Sequence, residues 1–288
     1  MLKKRIAATL LVKDGIVVQS IGFNKYLPVG KPAIAVEYLN QWGIDEIILL
    51  DISATCKQIS PDYSMIKKAS LKCYVPLSVG GGITEVRHIR ELMHCGADKL
   101  SLNQSAIFNT DLISEAAHIF GNQCVVVSID GVKVGNGYCV YDYIKKTNLK
   151  ISPAEMASKA EEAGAGEILI NSVDRDGMYS GYDIELINSV CEKVTIPVIG
   201  CGGAKNAKDM IDLFQNTSVS AACAGNFFHF TEHSVNVTKA SILKSINVRL
   251  ETYANYKENN INEDFRLSKK ADSVLEEMLF MRIEKEVI

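Results

Sequence analysis

The chain has 288 residues, 47% of them hydrophobic and 23% charged, with a formal net charge of −3. This is globular composition, and the weak negative balance excludes the basic surface that nucleic acid or an anionic membrane would require. Eight cysteines without a C-x-x-C pair exclude a zinc ribbon and a secreted disulfide framework, so a reducing, cytoplasmic setting is expected, with no metal and no cofactor.

The first residues, Met1 to Arg5, are basic like a signal peptide, but the apolar run behind them stops at Val12 before Lys13-Asp14-Gly15. No cleavage-like region follows, and the segment reads as a first strand. Short aliphatic or β-branched runs then recur at Ile6–Val12, Ile47–Leu50, Val75–Val79, Lys99–Asn103, Val125–Asp130, Glu167–Asn171, Val198–Cys201 and Val219–Ala224. Helical patterns separate them: Ile83, Val86, Ile89 and Leu92 share one face, and Ser152-Pro153-Ala154-Glu155 is a capping box with proline in the first turn. Strict strand–helix alternation predicts a parallel sheet. After Glu251 a polar stretch leads to a helix-like tail over 267–286, in which Val274, Leu275, Met278, Leu279 and Ile283 form one apolar face. The expected division is a barrel over 1–251 and a tail over 252–288, the tail either packed back on the barrel or free to bind a partner.

Closure into a (β/α)8 barrel is predicted by an internal repeat. Gly43 to Asp51 reads against Gly164 to Ser172, and Pro76 to Gly82 against Pro197 to Gly203, both pairs 121 positions apart. Two half-barrels of four strands give that offset. A dinucleotide-binding sheet needs G-x-G-x-x-G directly after strand one, where only Lys13-Asp14-Gly15 stands. A chain of this length suits one barrel, a fold of about 250 residues.

Glycine clusters follow strands three and seven, as Gly80-Gly81-Gly82 and Cys201-Gly202-Gly203. A phosphate needs several backbone N–H groups converging on it, and glycine permits the approach. Asn103-Gln104-Ser105 after strand four and Ala224-Gly225-Asn226 after strand eight complete two cradles, which one ligand carrying a phosphate at each end would span. The plainer reading is that these glycines only make tight turns. Asp130 ends strand five at the face where barrel enzymes do chemistry, and is the first catalytic candidate, unless it merely caps the next turn. The position facing it across the mouth is Leu11, so an acid/base pair lacks one member. Asp51, Asp174 and Asp176 also lie at strand ends and are candidate substitutes.

These motifs, with Lys4-Arg5-Ile6, Asp45-Glu46, Gly96-Ala97-Asp98-Lys99, Asp174-Arg175-Asp176-Gly177 and Ser180-Gly181-Tyr182-Asp183, resemble the cyclase subunit of imidazole glycerol phosphate synthase across about residues 1–251. The resemblance implies a lyase of histidine biosynthesis that closes an imidazole ring with ammonia from a separate glutaminase subunit, acting on a bis-phosphorylated ribulosyl aminoimidazole carboxamide. It implies phosphate binding by Gly81, Gly82 and Asn103 at one end and Gly177, Gly202, Gly203 and Gly225 at the other. It implies an ammonia gate of Arg5, Glu46, Lys99 and Glu167, with Asp98 contacting the glutaminase; on charge pattern alone the four are a stabilising plug.

The departures lie near the chemistry. The family pattern has a catalytic aspartate where this chain has Leu11, a lysine where it has Gln19 and an arginine where it has Leu27. The expectation is a second-copy relative that docks a glutaminase and conducts ammonia toward another acceptor, such as a sugar amidotransferase of surface-polysaccharide synthesis. A working histidine cyclase using Asp130 and another carboxylate is the alternative. A stand-alone sister isomerase fits the four ring charges less well, and a non-enzymatic scaffold would rest on the tail.

Overall fold

The computed structural model describes residues 3–229, 233–249, 261–268, 271, 273 and 274. The predicted tail helix and the boundary at 251 lie almost wholly outside these residues. Eight strands form the barrel: β1 (Arg5–Lys13), β2 (Glu46–Asp51), β3 (Leu77–Gly80), β4 (Lys99–Leu102), β5 (Val125–Val134), β6 (Glu167–Ser172), β7 (Val198–Cys201) and β8 (Ala221–Ala224). Each pairs in parallel with the next. β8 returns to β1, with Arg5 opposite Ala221, so the sheet closes.

The strands read as continuous apolar runs because both faces are buried. On β1 the period of two sends Ile6, Ala8, Leu10 and Val12 outward to the core shared with the helices, and Ala7 inward to a separate lumen cluster with Ile48, Val126, Leu169, Ile199, Cys201, Ala221 and Cys223. The predicted capping box at Ser152 forms, Ser152 and Glu155 each satisfying the other's backbone N–H. From the tail, half-buried Phe265 packs on the barrel core. Among the described residues no helix is long and apolar enough to cross a membrane.

Two antiparallel hairpins stand on the mouth. β1 turns at Asp14-Gly15, both with positive φ, into a strand over Ile16–Ile21 that pairs with Lys25–Gly30. β5 runs to Val134, four residues beyond Asp130, and pairs with Gly137–Asp142. The sequence reading ended both strands early. Asp14-Gly15 and Asn136-Gly137 are dipeptides that favour tight hairpin turns, so the signal was present.

Candidate functional site

The base of the lumen is closed by four charges. Arg5 donates to both Glu46 and Glu167, and Lys99 donates to the same two carboxylates at 2.8 and 2.7 Å, making a circuit of alternating sign. The carboxylates are buried, with side chains 1% and 5% exposed, while Arg5 and Lys99 keep 27% and 19%, so the ring shows its cations outward. Burial alone would lower the pKa of Arg5 and Lys99, but the two glutamates more than offset it and hold both above their ordinary values. Ser78 on β3 donates to Glu46 at 3.1 Å from the lumen side. Glu46 and Glu167 stand 121 residues apart, one per half-barrel, whereas Val126 and Ser220 occupy the positions that distance beyond Arg5 and Lys99. The second half has therefore lost or never had the cations, and the ring is specific to the assembled barrel. Asp98 is exposed beside the ring and accepts the Leu77 N–H at 2.8 Å, which fixes the start of β3.

At the opposite end a cavity of about 940 Å³ opens between the hairpins and reaches down to Thr9, Ser101, Ser128, Leu169 and Cys201. Asp130 lines it, 5% exposed. It lies within β5 and caps no turn: Asn103 donates to its Oδ2 at 2.8 Å and Asn171 to its Oδ1 at 3.3 Å. Burial raises its pKa to about 6 against the pull of those two amides. A carboxyl balanced near neutrality is the property a proton-transfer group needs.

Leu11 is half-buried on the cavity wall, in register with Leu50 on β2 and Val18 in the hairpin, and all three line the cavity. The carboxylate missing from this position is replaced by an apolar patch and not by a shifted polar group. The other two departures sit differently from expectation. Gln19 is buried with its amide donated to Asn226 O at 3.4 Å, and Leu27, its cross-strand partner, is 49% exposed; neither lines the cavity. The reason is the hairpin, whose period of two turns Val18 and Ser20 to the cavity and Gln19 away.

The three spare carboxylates separate clearly. Asp51 caps the helix Ile52–Lys57 through the Ser53 and Ala54 amides. Asp174 accepts from Lys133 N at 2.7 Å and lies outside the cavity. Asp176 lines the cavity, accepts from Ser20 Oγ at 2.6 Å and Phe23 N at 3.2 Å, and has its pKa raised by burial. With Asn226, which exchanges two hydrogen bonds with Ser20, it latches the hairpin tip across the mouth.

The glycine turns come together at the mouth as two groups, Gly81, Gly82 and Asn103 on one side and Gly177, Gly202, Gly203 and Gly225 on the other, all of them lining the same cavity. Gly81 has φ +107° and a Cβ there would lie 2.1 Å from Asp51 O, so packing alone requires glycine. Gly82 N is taken by Thr55 Oγ1 at 3.0 Å. The helix after Gly203, Ala207–Asn216, is capped by Asn206 and Asp209. Its N-terminus is therefore already served by a carboxylate of its own, Asp209. Sequence reasoning missed Asn171 and the aromatic rim of Phe23, Tyr26, Tyr143 and Tyr179, because nothing marks a strand-end asparagine or a loop tyrosine until the barrel closes.

Comparison with known proteins agrees with this geometry. A family model described as "Histidine biosynthesis protein" matches residues 5–234. The chain is 41% identical over 266 residues, covering 92% of it and 97% of the relative, to the "Putative imidazole glycerol phosphate synthase subunit hisF2" of Vibrio vulnificus (strain YJ016). It is 42% identical over 253 residues, 87% of the chain and 100% of the relative, to the "Imidazole glycerol phosphate synthase subunit HisF" of Clostridium botulinum (strain Langeland / NCTC 10281 / Type F). Against the same-named subunit of Bacillus cereus (strain G9842) it is 40% identical over 251 residues, 87% of the chain and 99% of the relative. The chain therefore belongs to the histidine biosynthesis protein family, as a HisF-type cyclase subunit of imidazole glycerol phosphate synthase.

Proposed function

We propose that this barrel takes ammonia from a glutaminase subunit docked on the face carrying Arg5, Glu46, Asp98, Lys99 and Glu167, and supplies the nitrogen to an acceptor outside histidine synthesis, such as a sugar amidotransferase. The observation that carries this reading is the contrast between the two ends of one lumen: the ring at the base is complete, while Asp130 at the mouth faces an apolar wall of Leu11, Val18 and Leu50. A leucine moves no proton, and loss of one positioned acid/base group lowers a rate by about 10²–10⁴-fold. The ring asks for a reason beyond stability, since its glutamates are buried and replacing such a buried ion network with packed apolar residues is often neutral or stabilising. One relative is itself named hisF2.

The mouth is shaped for a bis-phosphorylated small molecule, held by Gly81, Gly82 and Asn103 at one end and by Gly177, Gly202, Gly203 and Gly225 at the other, with Asp130 as the proton-transfer group between them. The barrel unit is 1–251, and 252–288 is an appended tail. A working histidine cyclase is the second reading, favoured by Asp176, a half-buried carboxylate on the same cavity that can serve in place of the missing one.

The test mixes the full chain with the glutaminase encoded beside it and measures association, glutamine hydrolysis and transfer of labelled nitrogen. Asp98→Asn removes the charge while keeping an acceptor for Leu77 N, and Lys99→Ala opens the ring. Both variants should weaken coupling. Absence of any association, or coupling unchanged in both variants, rejects the conduit.

A further inference from the structure

Asp130 is held from both sides. Asn103 directly follows β4 and Asn171 lies on β6, the two strands that flank β5, and Asn171 is in direct register with Asp130. Each amide takes a different oxygen: Asn103 the Oδ2 at 2.8 Å, Asn171 the Oδ1 at 3.3 Å. With one N–H on each oxygen the plane of the carboxylate is fixed, so it cannot rotate toward or away from a ligand. The remaining end of the Asn171 amide is also placed, because its Oδ1 lies against the turn after β7, 3.0 Å from where a Cβ on Gly202 would stand. One side chain thus spans the distance from the carboxylate to a glycine turn of the second cradle, and it lines the cavity itself.

We propose that Asn171 is a positioning residue for Asp130: its amide N–H fixes the carboxylate toward the cavity, and its carbonyl end packs against the Gly202 turn. The inference rests on Asp130 being the proton-transfer group.

The energetic consequence follows from the signs. Burial favours the neutral acid and both amides favour the carboxylate, with the result near 6. The charged or titratable groups that face Asp130 are Asp176 from the turn after β6 and Tyr143 and Tyr26 from the two hairpins, all of which oppose its ionisation or have their own ionisation opposed by it. On the flanking strands the charged residues are Lys99 and Glu167, at the far end of the lumen. Loss of the Asn171 donor leaves burial less opposed, so the pKa must rise. A hydrogen bond to a charged group contributes about 1.5–3 kcal/mol, which corresponds to a rise of about one unit or more. At neutral pH that changes the carboxylate from about a tenfold excess over the acid to about parity.

The experiment is a carbon-13 titration of aspartate-labelled full chain, with the Asp130 carboxyl resonance assigned through Asp130→Asn. The wild-type midpoint should fall near 6. Asn171→Leu and the smaller Asn171→Ala, both without a donor, should raise it by about one pH unit or more, and Asn171→Thr, which keeps a hydroxyl, should bring it back toward wild type. An unmoved midpoint in whichever of the Leu and Ala variants folds overturns the proposal, as does a Thr variant displaced as far as either. A wild-type midpoint near the ordinary aspartate value would instead sink the assignment of Asp130, so the two failures are distinguishable.

Discussion

Replacing Leu11 by aspartate should restore the missing half of the acid/base pair at a measurable cost in stability. The side chain is half-buried against Leu50 and Val18, so its removal forfeits about half of the 1.5–3 kcal/mol that full burial of a leucine contributes. A carboxyl placed against that apolar wall adds about 1–3 kcal/mol of desolvation. The sum, about 2–4 kcal/mol, should lower Tm by about 3–8 °C. Two carboxylates would then share one cavity, and their mutual repulsion raises the proton affinity of at least one of them, which separates an acid from a base. With ammonium salt and the family's bis-phosphorylated carboxamide supplied directly, Leu11→Asp should form the imidazole product faster than wild type by up to about 10²–10⁴-fold. Wild type already turning over at the rate of a standard cyclase would refute the reasoning, since the leucine would then be harmless. So would a folded Leu11→Asp that binds substrate without any gain.

Three other outcomes follow from the geometry. Lys99→Met leaves two buried carboxylates sharing Arg5, and breaking such a pair costs about 3–5 kcal/mol, to be read as a fall in thermal or denaturant stability; a change under about 1 kcal/mol would show that the ring is solvated and weak. Gly81→Ala forces a Cβ to 2.1 Å from Asp51 O at φ +107° and should destabilise the barrel severely, whereas Gly225→Ala, with negative φ and its Cβ 3.2 Å from Thr9 O, should cost far less stability and lose binding of inorganic phosphate instead. Any reaction in which ionised Asp130 takes a proton should rise with pH through about 6 and level off above it. The same group works against stability: its folded pKa exceeds the unfolded value, so the penalty is full above about 6 and fades as pH falls toward 4, and Asp130→Leu should remove that pH dependence from the unfolding curve.

How much of this was legible in the sequence depends on the range of the forces involved. Strands and their order follow from local periodicity and a repeat of 121 residues, and eight aliphatic runs located eight barrel strands to within a few residues. The ring was legible because its four charges sit at strand starts, where a barrel brings N-terminal ends together regardless of loop conformation. Asp130 was legible for the same reason at the other end. The amides that hold it were not, since Asn103 and Asn171 meet it only through the lateral register of β4, β5 and β6. The cradles were half legible: glycine at positions 81 and 203 announces a tight turn, but whether the turn exists to seat a ligand or to let Asp51 and Gly181 pack is invisible until the contacts are measured.

The three departures from the family pattern belong to one element, and this bears on what changed. Leu11 pairs with Val18, and Gln19 pairs with Leu27 in the same hairpin. Neighbouring cross-strand positions are energetically coupled, so a leucine at 11 favours an apolar partner at 18, and a buried amide at 19 that bonds Asn226 draws the hairpin down on the latch formed with Asp176. A lysine at 19 would need its charge solvated or paired, which the buried, docked position of Gln19 does not allow, whereas an arginine at 27 would reach solvent from a side chain that is half exposed. The hairpin thus packs on the barrel's own loops through Gln19 and Ser20 against Asn226, while Val18 and Ser20 face the cavity. The other seven strands and the ring at the base are untouched by a change there, because the contacts of β1 with β2 and β8 below Thr9 do not involve the hairpin. A change confined to this element can therefore reshape the mouth while leaving the strand contacts and the charge ring at the base in place.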